Sequence, residues 1–178
     1  DKSVPEYKNP FHPSTYAHFV ARKDYRKTYD VYKDDTLLNR QPKKSRKIFV
    51  CLDEQRGQYL VDGLVAMDFP LSSGVKAYPT KTGDYAVISK KEDHTSNLYG
   101  KMYDAEGKCI NYNAESTDPI PEGGRFDGSP MPYWQRLTNA GLGLHVGKVR
   151  RHPVSHGCVR LPRNVAEILY RQTSIGTP

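Results

Sequence analysis

The chain has 178 residues, of which 37% are hydrophobic and 26% are charged, and its mean hydropathy is −0.75. This length and composition fit one domain with a hydrophobic core, and they exclude both wholesale disorder and two full domains. The longest apolar run, residues 48–52, is far shorter than the ~20 residues of a membrane-spanning helix, so the sequence predicts no membrane span.

The formal net charge is +7, and most of the excess lies near the end of the chain. Residues 140–178 contain six Lys and Arg side chains and one acid, Glu167, which gives +5. Such a basic surface favours an anionic partner, a class that includes nucleic acid, a membrane surface and an acidic cell-wall polymer. The three cysteines are too few for a disulfide scaffold, and their odd number leaves at least one free thiol.

Residues 1–47 are rich in Tyr, Lys, Asp and Pro and show no sustained period of 3.6 or 2 residues. We therefore predict an N-terminal arm or extension over residues 1–47 and one folded domain over residues 48–178. The sequence has no basic-then-apolar leader, so we expect any secretion signal to be absent from this chain.

The predicted domain begins with a series of strands. Apolar or alternating runs at residues 48–52, 58–61 and 64–73 predict three strands, and Asp62-Gly63 predicts the hairpin turn between the last two. Residues 84–89 alternate again and predict a further strand. The first half of the domain is therefore expected to be a β-meander.

The second half is more broken. Residues 90–136 contain Gly, Pro, Asn or Asp every few positions, which predicts an irregular lid. Residues 142–146 predict a short strand that carries His145, and residues 162–173 predict a helix with a proline in its first turn. The sequence thus predicts a mostly β domain with one or two short helices.

Most of the reactive side chains lie within residues 145–162. A thiol attacks a carbonyl only as the thiolate, so a catalytic Cys158 needs a nearby base or a cationic setting. Gly157 permits a tight turn that can present backbone N–H groups to a developing oxyanion. The candidate bases and cations in this segment are His145, His152, His156, Arg150, Arg151 and Arg160. This combination favours acyl-transfer chemistry.

Three other interpretations of the cluster are open. In the first interpretation, Cys158 is an ordinary buried core residue, since most free cysteines are buried. The three histidines and Cys158 bind zinc in another, although their spacing matches no common structural zinc pattern. The basic residues bind nucleic acid in the third, which is disfavoured because no aromatic stacking platform is interleaved with them.

The segment Ser155-His156-Gly157-Cys158-Val159-Arg160-Leu161, preceded by His145, resembles the signature of the L,D-transpeptidase catalytic domain, the YkuD fold. Members of this family cross-link peptidoglycan. Further segments in family order are residues 69–74, 79–85, 131–134 and 176–177. The resemblance covers residues 48–178 and implies a mostly β, YkuD-like β-sandwich with one or two short helices and an irregular lid.

The resemblance also implies roles for individual residues. Cys158 is the expected nucleophile and His145 its general base, oriented by the main-chain carbonyl of Val146. The N–H groups of Gly157 and Cys158 are expected to form the oxyanion hole, and His156 and Arg160 are expected to support the site and bind substrate. The interval from His145 to Cys158 is 13 positions, shorter than in many members, so His152 stays a minor rival base.

Substrate contacts are expected from four side chains: Arg160, Ser155, Tyr133 and Trp134. For Trp134, a place in the core is an equally open interpretation. The resemblance implies no metal and no organic cofactor. The expected partners are peptidoglycan stem peptides and not nucleic acid, and the expected location is extracytoplasmic, in the periplasm or cell wall. Oligomeric state and a Cys51–Cys109 disulfide are left open.

The implied reaction begins with a thioester between Cys158 and a stem tetrapeptide, with release of D-alanine. Transfer of the acyl group to an amine then makes the cross-link. One alternative is an L,D-carboxypeptidase or hydrolase in which water resolves the same acyl-enzyme. A second alternative is a cell-wall-binding protein without turnover.

Two electrostatic expectations follow from the basic character of this region. The histidine-rich setting predicts a Cys158 thiol with a lowered pKa. A basic rim around the site is expected to concentrate anionic substrate. The candidates for this rim are Lys148, Arg150, Arg151 and Arg163.

Overall fold

The computed structural model describes residues 5–178, which form two β-sheets and three short helices. The strands are β1 (Tyr32–Lys33), β2 (Arg46–Cys51), β3 (Arg56–Val61), β4 (Leu64–Pro70), β5 (Ser89–Tyr103), β6 (Cys109–Glu115), β7 (Arg125–Arg136), β8 (Gly143–Val146) and β9 (Val159–Leu161). The helices are α1 (Tyr16–Val20), α2 (Asp35–Leu38) and α3 (Arg163–Gln172). The predicted mostly β, two-sheet architecture is confirmed, with three short helices where one or two were expected.

The first sheet has the order β1-β4-β3-β2, and all its pairs are antiparallel. The β3–β4 hairpin turns at Asp62 and Gly63, whose φ angles are 52° and 78°. Positive φ at both central residues is the geometry that an Asp-Gly pair favours in a two-residue hairpin, so the predicted turn is confirmed. Tyr59, Met67 and Phe69 from this hairpin are fully buried in the core.

The second sheet has the order β6-β5-β7-β8-β9, and only the last pair, β8 with β9, is parallel. The irregular lid predicted for residues 90–136 is wrong as secondary structure, because most of this segment forms β5, β6 and β7. Some of its turn-forming residues lie in the connections between strands, and others lie within the strands, where the β5–β7 register is irregular between Thr95 and Gly100. Breaks of this kind interrupt an antiparallel ladder locally without ending the strand.

Helix α3 follows the last strand directly, as the sequence predicts. Pro162 precedes its first residue, where the missing N–H of proline costs nothing. Val165, Ala166 and Leu169 are buried and face the core with Leu144 and Leu161 of the second sheet. The helix thereby covers the part of the sheet that contains β8 and β9.

The N-terminal segment packs against the first sheet around an ion pair that is buried within that sheet. Arg56 Nε lies 2.6 Å from the Asp68 carboxylate, and the two side chains are 1% and 0% exposed. The hydroxyls of Tyr16 and Tyr25 donate to the other Asp68 oxygen at 2.6 and 2.7 Å. Strand β1 pairs with β4, and Leu37 of α2 lies in the core. The division of the chain at residue 47 stays a prediction about domain organisation.

Among residues 5–178, no helix has both the length and the apolar character needed to cross a membrane.

Removing the carboxylate of the buried pair tests how strongly it anchors the N-terminal segment. Asp68→Ala leaves the Arg56 guanidinium buried without its counter-charge, so we expect the free energy of unfolding in urea to fall by about 3–5 kcal/mol. Asp24→Ala is the matched control, since Asp24 pairs with Arg22 at the surface and its loss should leave the urea midpoint close to wild type. Equal effects of the two substitutions would contradict this account.

Candidate active site

The parallel pairing of β8 with β9 brings the two central residues together. His145 is in register with Arg160, and Leu144 with Val159. Continuing this register by one position places Cys158 beside Gly143, on the same face of the sheet as His145 because side chains alternate along a strand. The Cys158 and His145 side chains both line a cavity of about 640 Å³.

A second segment supports the other side of β9. Ser72 exchanges backbone hydrogen bonds with Arg160, at 2.8 and 3.1 Å. The Ser73 carbonyl accepts from the N–H groups of Val154 and Ser155, at 2.9 and 3.1 Å. Ser72 and Ser73 belong to the segment 69–74 that the sequence resemblance included. Main-chain contacts therefore fix Cys158 from two directions.

The turn that precedes Cys158 is held by its own polar groups. The Ser155 hydroxyl donates to the Cys158 carbonyl and accepts the Gly157 N–H at 3.1 Å. The Thr80 hydroxyl donates to the Gly157 carbonyl and accepts from the Gly74 N–H. Gly157 has φ 124°, a conformation that side-chain-bearing residues rarely adopt.

This arrangement corrects two expectations. The Gly157 N–H donates to Ser155 Oγ and is not free for an oxyanion, so the sequence-based assignment of this donor is wrong in the described geometry. Ser155 lines the cavity, but its hydroxyl is engaged within the turn on both its donor and its acceptor side. Ser155 is therefore positioned to stabilise the conformation of this turn.

The imidazole of His145 is oriented by the main chain. Its Nδ1 lies 2.7 Å from the Val146 carbonyl, so Nδ1 donates and Nε2 keeps its lone pair. The predicted contact with this carbonyl is present. Only 8% of the residue is exposed, and burial lowers the pKa of His145 to about 4, with further lowering by the Arg160 and His94 charges. His145 is therefore a neutral base at neutral pH.

The Cys158 thiol is also uncharged at neutral pH. Its Sγ donates to the Gly141 carbonyl at 3.2 Å. Burial raises the pKa of Cys158, and a backbone hydrogen bond from Gly143 and the charges of Arg136 and Arg160 offset only part of this increase. The expected lowering of the thiol pKa is thus wrong, because partial burial outweighs the cationic surroundings.

Trp134 forms a wall of the cavity beside the base. The centroid of its ring lies 6.1 Å from that of His145. The same ring stacks on His94, with the centroids 4.9 Å apart. A Cβ on Gly143 would come within 2.5 Å of the indole, so only glycine allows β8 to lie this close. Trp134 is a core residue, at 3% exposure, and it also lines the cavity, so its predicted contact with substrate stays a prediction.

Tyr133 and His152 lie away from the cavity. Because side chains alternate along β7, the Tyr133 ring points to the opposite side from Trp134 and packs 5.6 Å from Tyr170 of α3. Its predicted substrate contact is therefore wrong. His152 is exposed, and its Nδ1 lies 3.3 Å from the Pro153 carbonyl. Because His152 does not line the cavity, it is not positioned to act as an alternative base for Cys158.

The zinc interpretation lacks support in the described part of the chain. Across residues 5–178, no group of three or more His, Cys, Asp or Glu side chains is placed to hold a metal ion. His152 lies outside the cavity, and the His156 ring stacks on Tyr99 and packs against Tyr78.

Strands β5 and β7 supply the lid over the cavity. Residues 96–99 and 129–131 line it, so the location predicted for the lid is correct even though its structure is regular. Tyr99 stacks on His156 with centroids 4.4 Å apart, and Tyr78 packs against the same ring at 4.9 Å. The His156 ring thereby connects the lid to the turn before Cys158. This position is consistent with a structural role in supporting the site.

The cavity has a single sign of charge. Among the described residues that line it, four are Lys or Arg and none is Asp or Glu. The four cations are Lys81, Arg136, Lys148 and Arg160. Of the predicted rim, Lys148 lines the cavity, whereas Arg150, Arg151 and Arg163 do not. Arg136, His94 and Tyr99 were not found from sequence, because the pairing of β5 with β7 and of β7 with β8 brings them to the cavity. Lys81, which lies before β5, was also not found.

Three comparisons place the chain among known proteins. The family profile described as "L,D-transpeptidase catalytic domain" (YkuD) matches residues 45–178. A curated relative, "Probable L,D-transpeptidase 3" of Mycobacterium tuberculosis, is 31% identical over 116 residues, which are 61% of this chain and 36% of the relative. The chain thus spans about a third of that relative's length.

Two solved structures share the fold. An L,D-transpeptidase from Mycobacterium smegmatis matches with a TM-score of 0.57 and 21% identity, over 75% of this chain and 56% of that one. An L,D-transpeptidase from Stackebrandtia nassauensis matches with a TM-score of 0.55 and 22% identity, over 90% of this chain and 63% of that one. With the profile match over most of its length, the chain belongs to the YkuD family of L,D-transpeptidase catalytic domains.

Proposed function

We propose that the chain is a peptidoglycan L,D-transpeptidase in which Cys158 forms a thioester with a stem tetrapeptide and transfers it to an amine. The observation that carries this proposal is the convergence of Cys158 and His145 on one cavity whose charged lining residues are all cationic. A stem peptide carries carboxylates, which such a lining attracts. Action on peptidoglycan implies an extracytoplasmic location, in the periplasm or cell wall.

The first step is attack by the sulphur on the carbonyl of the third residue of the stem. The Sγ–H proton passes to Nε2 of His145 as the S–C bond forms, because Nδ1 is committed to the Val146 carbonyl. Both groups start neutral, so charge develops only as the reaction proceeds. Arg136 and Arg160 lower the energy of negative charge at Cys158, and the backbone of Gly143 acts in the same direction.

The remaining steps return every group to its starting state. Collapse of the tetrahedral intermediate breaks the C–N bond to D-alanine, whose nitrogen takes the proton from His145 and leaves. An acceptor amine then attacks the thioester and gives its proton to Nε2. Cleavage of the C–S bond releases the sulphur, which recovers its proton from His145. The cross-link forms without an external energy source, because the thioester conserves the energy of the original amide.

Substrate positioning is assigned to the walls of the cavity. Trp134 and Tyr99 offer ring faces, and the stacking of Tyr99 on His156 keeps the lid over the turn. Arg160 is half-buried in the cavity wall, where desolvation strengthens its attraction for a substrate carboxylate.

Product analysis tests the proposal and separates it from its alternatives. With a tetrapeptide stem, wild-type protein should yield a cross-linked dimer and free D-alanine by mass spectrometry. Cys158→Ala should yield neither, and His145→Gln should slow the reaction by about 10²- to 10⁴-fold, the usual contribution of a general base. Cys109→Ala is the matched control, since Cys109 lies in β6 outside the cavity, and it should retain wild-type turnover.

Two outcomes would replace the proposal. Tripeptide without dimer would indicate a carboxypeptidase that uses the same acyl-enzyme. Binding to purified sacculi with no product from folded wild-type protein would indicate a wall-binding protein without turnover.

The two pKa shifts predict distinct pH profiles. His145 is a competent base above its pKa of about 4, so acylation of Cys158 by imipenem should vary little from about pH 5 to pH 8 and fall below about pH 4. Imipenem is the probe because a similar solved L,D-transpeptidase is in complex with it. Alkylation by iodoacetamide requires the thiolate and should rise about tenfold per unit through neutral pH, since the thiol pKa is raised. An alkylation plateau already reached at about pH 6 would contradict the neutral pair.

A further inference from the structure

The loop between β8 and β9, residues 147–158, connects the proposed base to the proposed nucleophile. It contains no helix and no strand, so its shape depends on contacts with other segments. Arg151 lies at its centre with φ 57°, a conformation that non-glycine residues rarely adopt. A strained residue persists where its surroundings fix it.

The Arg151 side chain reaches away from the cavity and binds two other segments. Its Nη1 donates to the Thr28 carbonyl at 2.9 Å, and its Nη2 donates to the Glu54 carbonyl at 2.7 Å. The guanidinium is planar and presents its donors in a fixed fork, so the two bonds together set both its position and its direction. The loop is thereby fixed to the N-terminal segment and to the β2–β3 connection.

The Thr28 carbonyl is itself held by the buried ion pair. Arg56 Nη1 donates to the same oxygen at 2.9 Å, and Arg56 is paired with Asp68. One carbonyl of the N-terminal segment therefore joins the loop to the most buried charges of the first sheet. A second contact lies alongside, since the Tyr29 hydroxyl donates to the Arg150 carbonyl at 3.2 Å.

We propose that Arg151 is a positioning residue for the Cys158 nucleophile, and that the N-terminal segment, which binds Arg151, holds the loop in the conformation that positions Cys158. The proposal rests on the proposed function of Cys158. Strand β9 fixes Cys158 from the C-terminal side, whereas residues 150–155 fix it from the N-terminal side through Arg151 and the Ser73 carbonyl. Release of Arg151 removes one of these constraints, and a displacement of about 1 Å at a reacting atom costs about 100-fold in rate.

Acylation kinetics with imipenem test this role. Arg151→Gln should lower the limiting acylation rate by about 10- to 100-fold, and the half-saturating concentration should change by less than about threefold, because the loop shift affects attack more than binding. Arg151→Lys should be similarly slow, since one ammonium cannot take the place of the fork. Arg150→Gln is the matched control: it removes the same charge from the exposed neighbouring residue and should stay within about twofold of wild type.

Two further measurements keep the proposal falsifiable. Tyr29→Phe removes only the hydroxyl bond from an exposed ring, so the protein should fold normally and lose about threefold in limiting rate. Amide hydrogen exchange of residues 147–158 in Arg151→Gln should be faster than in wild type, a readout that needs no reaction at Cys158.

The outcomes separate this proposal from the proposed function. An Arg151→Gln variant with wild-type acylation rate and wild-type exchange in the loop overturns the positioning role. A rate restored fully by Arg151→Lys also overturns it, because charge and not the fork would then be sufficient. Wild-type protein that imipenem does not acylate rejects the proposed function instead, and hydrogen exchange alone then decides whether Arg151 orders the loop.

Discussion

The parallel pairing of β8 with β9 is the constraint on which the site depends. It places His145 and Cys158 on one face of the sheet, and Ser72 pairs with the other edge of β9 so that the strand cannot shift sideways. A slip of β9 by one residue would turn Cys158 to the face opposite His145. Helix α3 covers the second sheet behind this pair, and the Trp134 ring packs against Gly143 in front of it. Fold and chemistry are therefore linked through a register of three residue pairs.

Burial has a chemical consequence that the composition of the segment does not suggest. Three histidines and three arginines around one cysteine predict a thiolate, yet the enclosed site keeps both Cys158 and His145 neutral. The cations that line the cavity act on charge that appears during the reaction. A neutral resting pair also protects the thiol from reagents that need a thiolate, while a substrate that fits the cavity still meets an oriented base.

The sequence predicts those parts of the molecule that are determined locally. The Asp62-Gly63 hairpin and helix α3 follow from neighbouring residues, and both are present. The contact of His145 with the Val146 carbonyl, which the family resemblance implies, is also present. Predictions failed where distant segments decide. Whether Tyr133 or Trp134 faces the cavity depends on the phase of β7, and the positions of His94, Tyr99 and Arg136 depend on how β5 and β7 pair beside β8. The raised pKa of Cys158 depends on the enclosure that all of these segments create together.

Direct observation of the acyl-enzyme tests the central claim that Cys158 is the nucleophile of acyl transfer. Wild-type protein would be mixed with a tetrapeptide stem whose free amines are acetylated, so that no acceptor amine is present, then quenched in acid and examined by intact mass and peptide mapping. The account predicts a tripeptide acyl group on Cys158, matched by free D-alanine, and neither in Cys158→Ala. Release of D-alanine that persists in Cys158→Ala would contradict it.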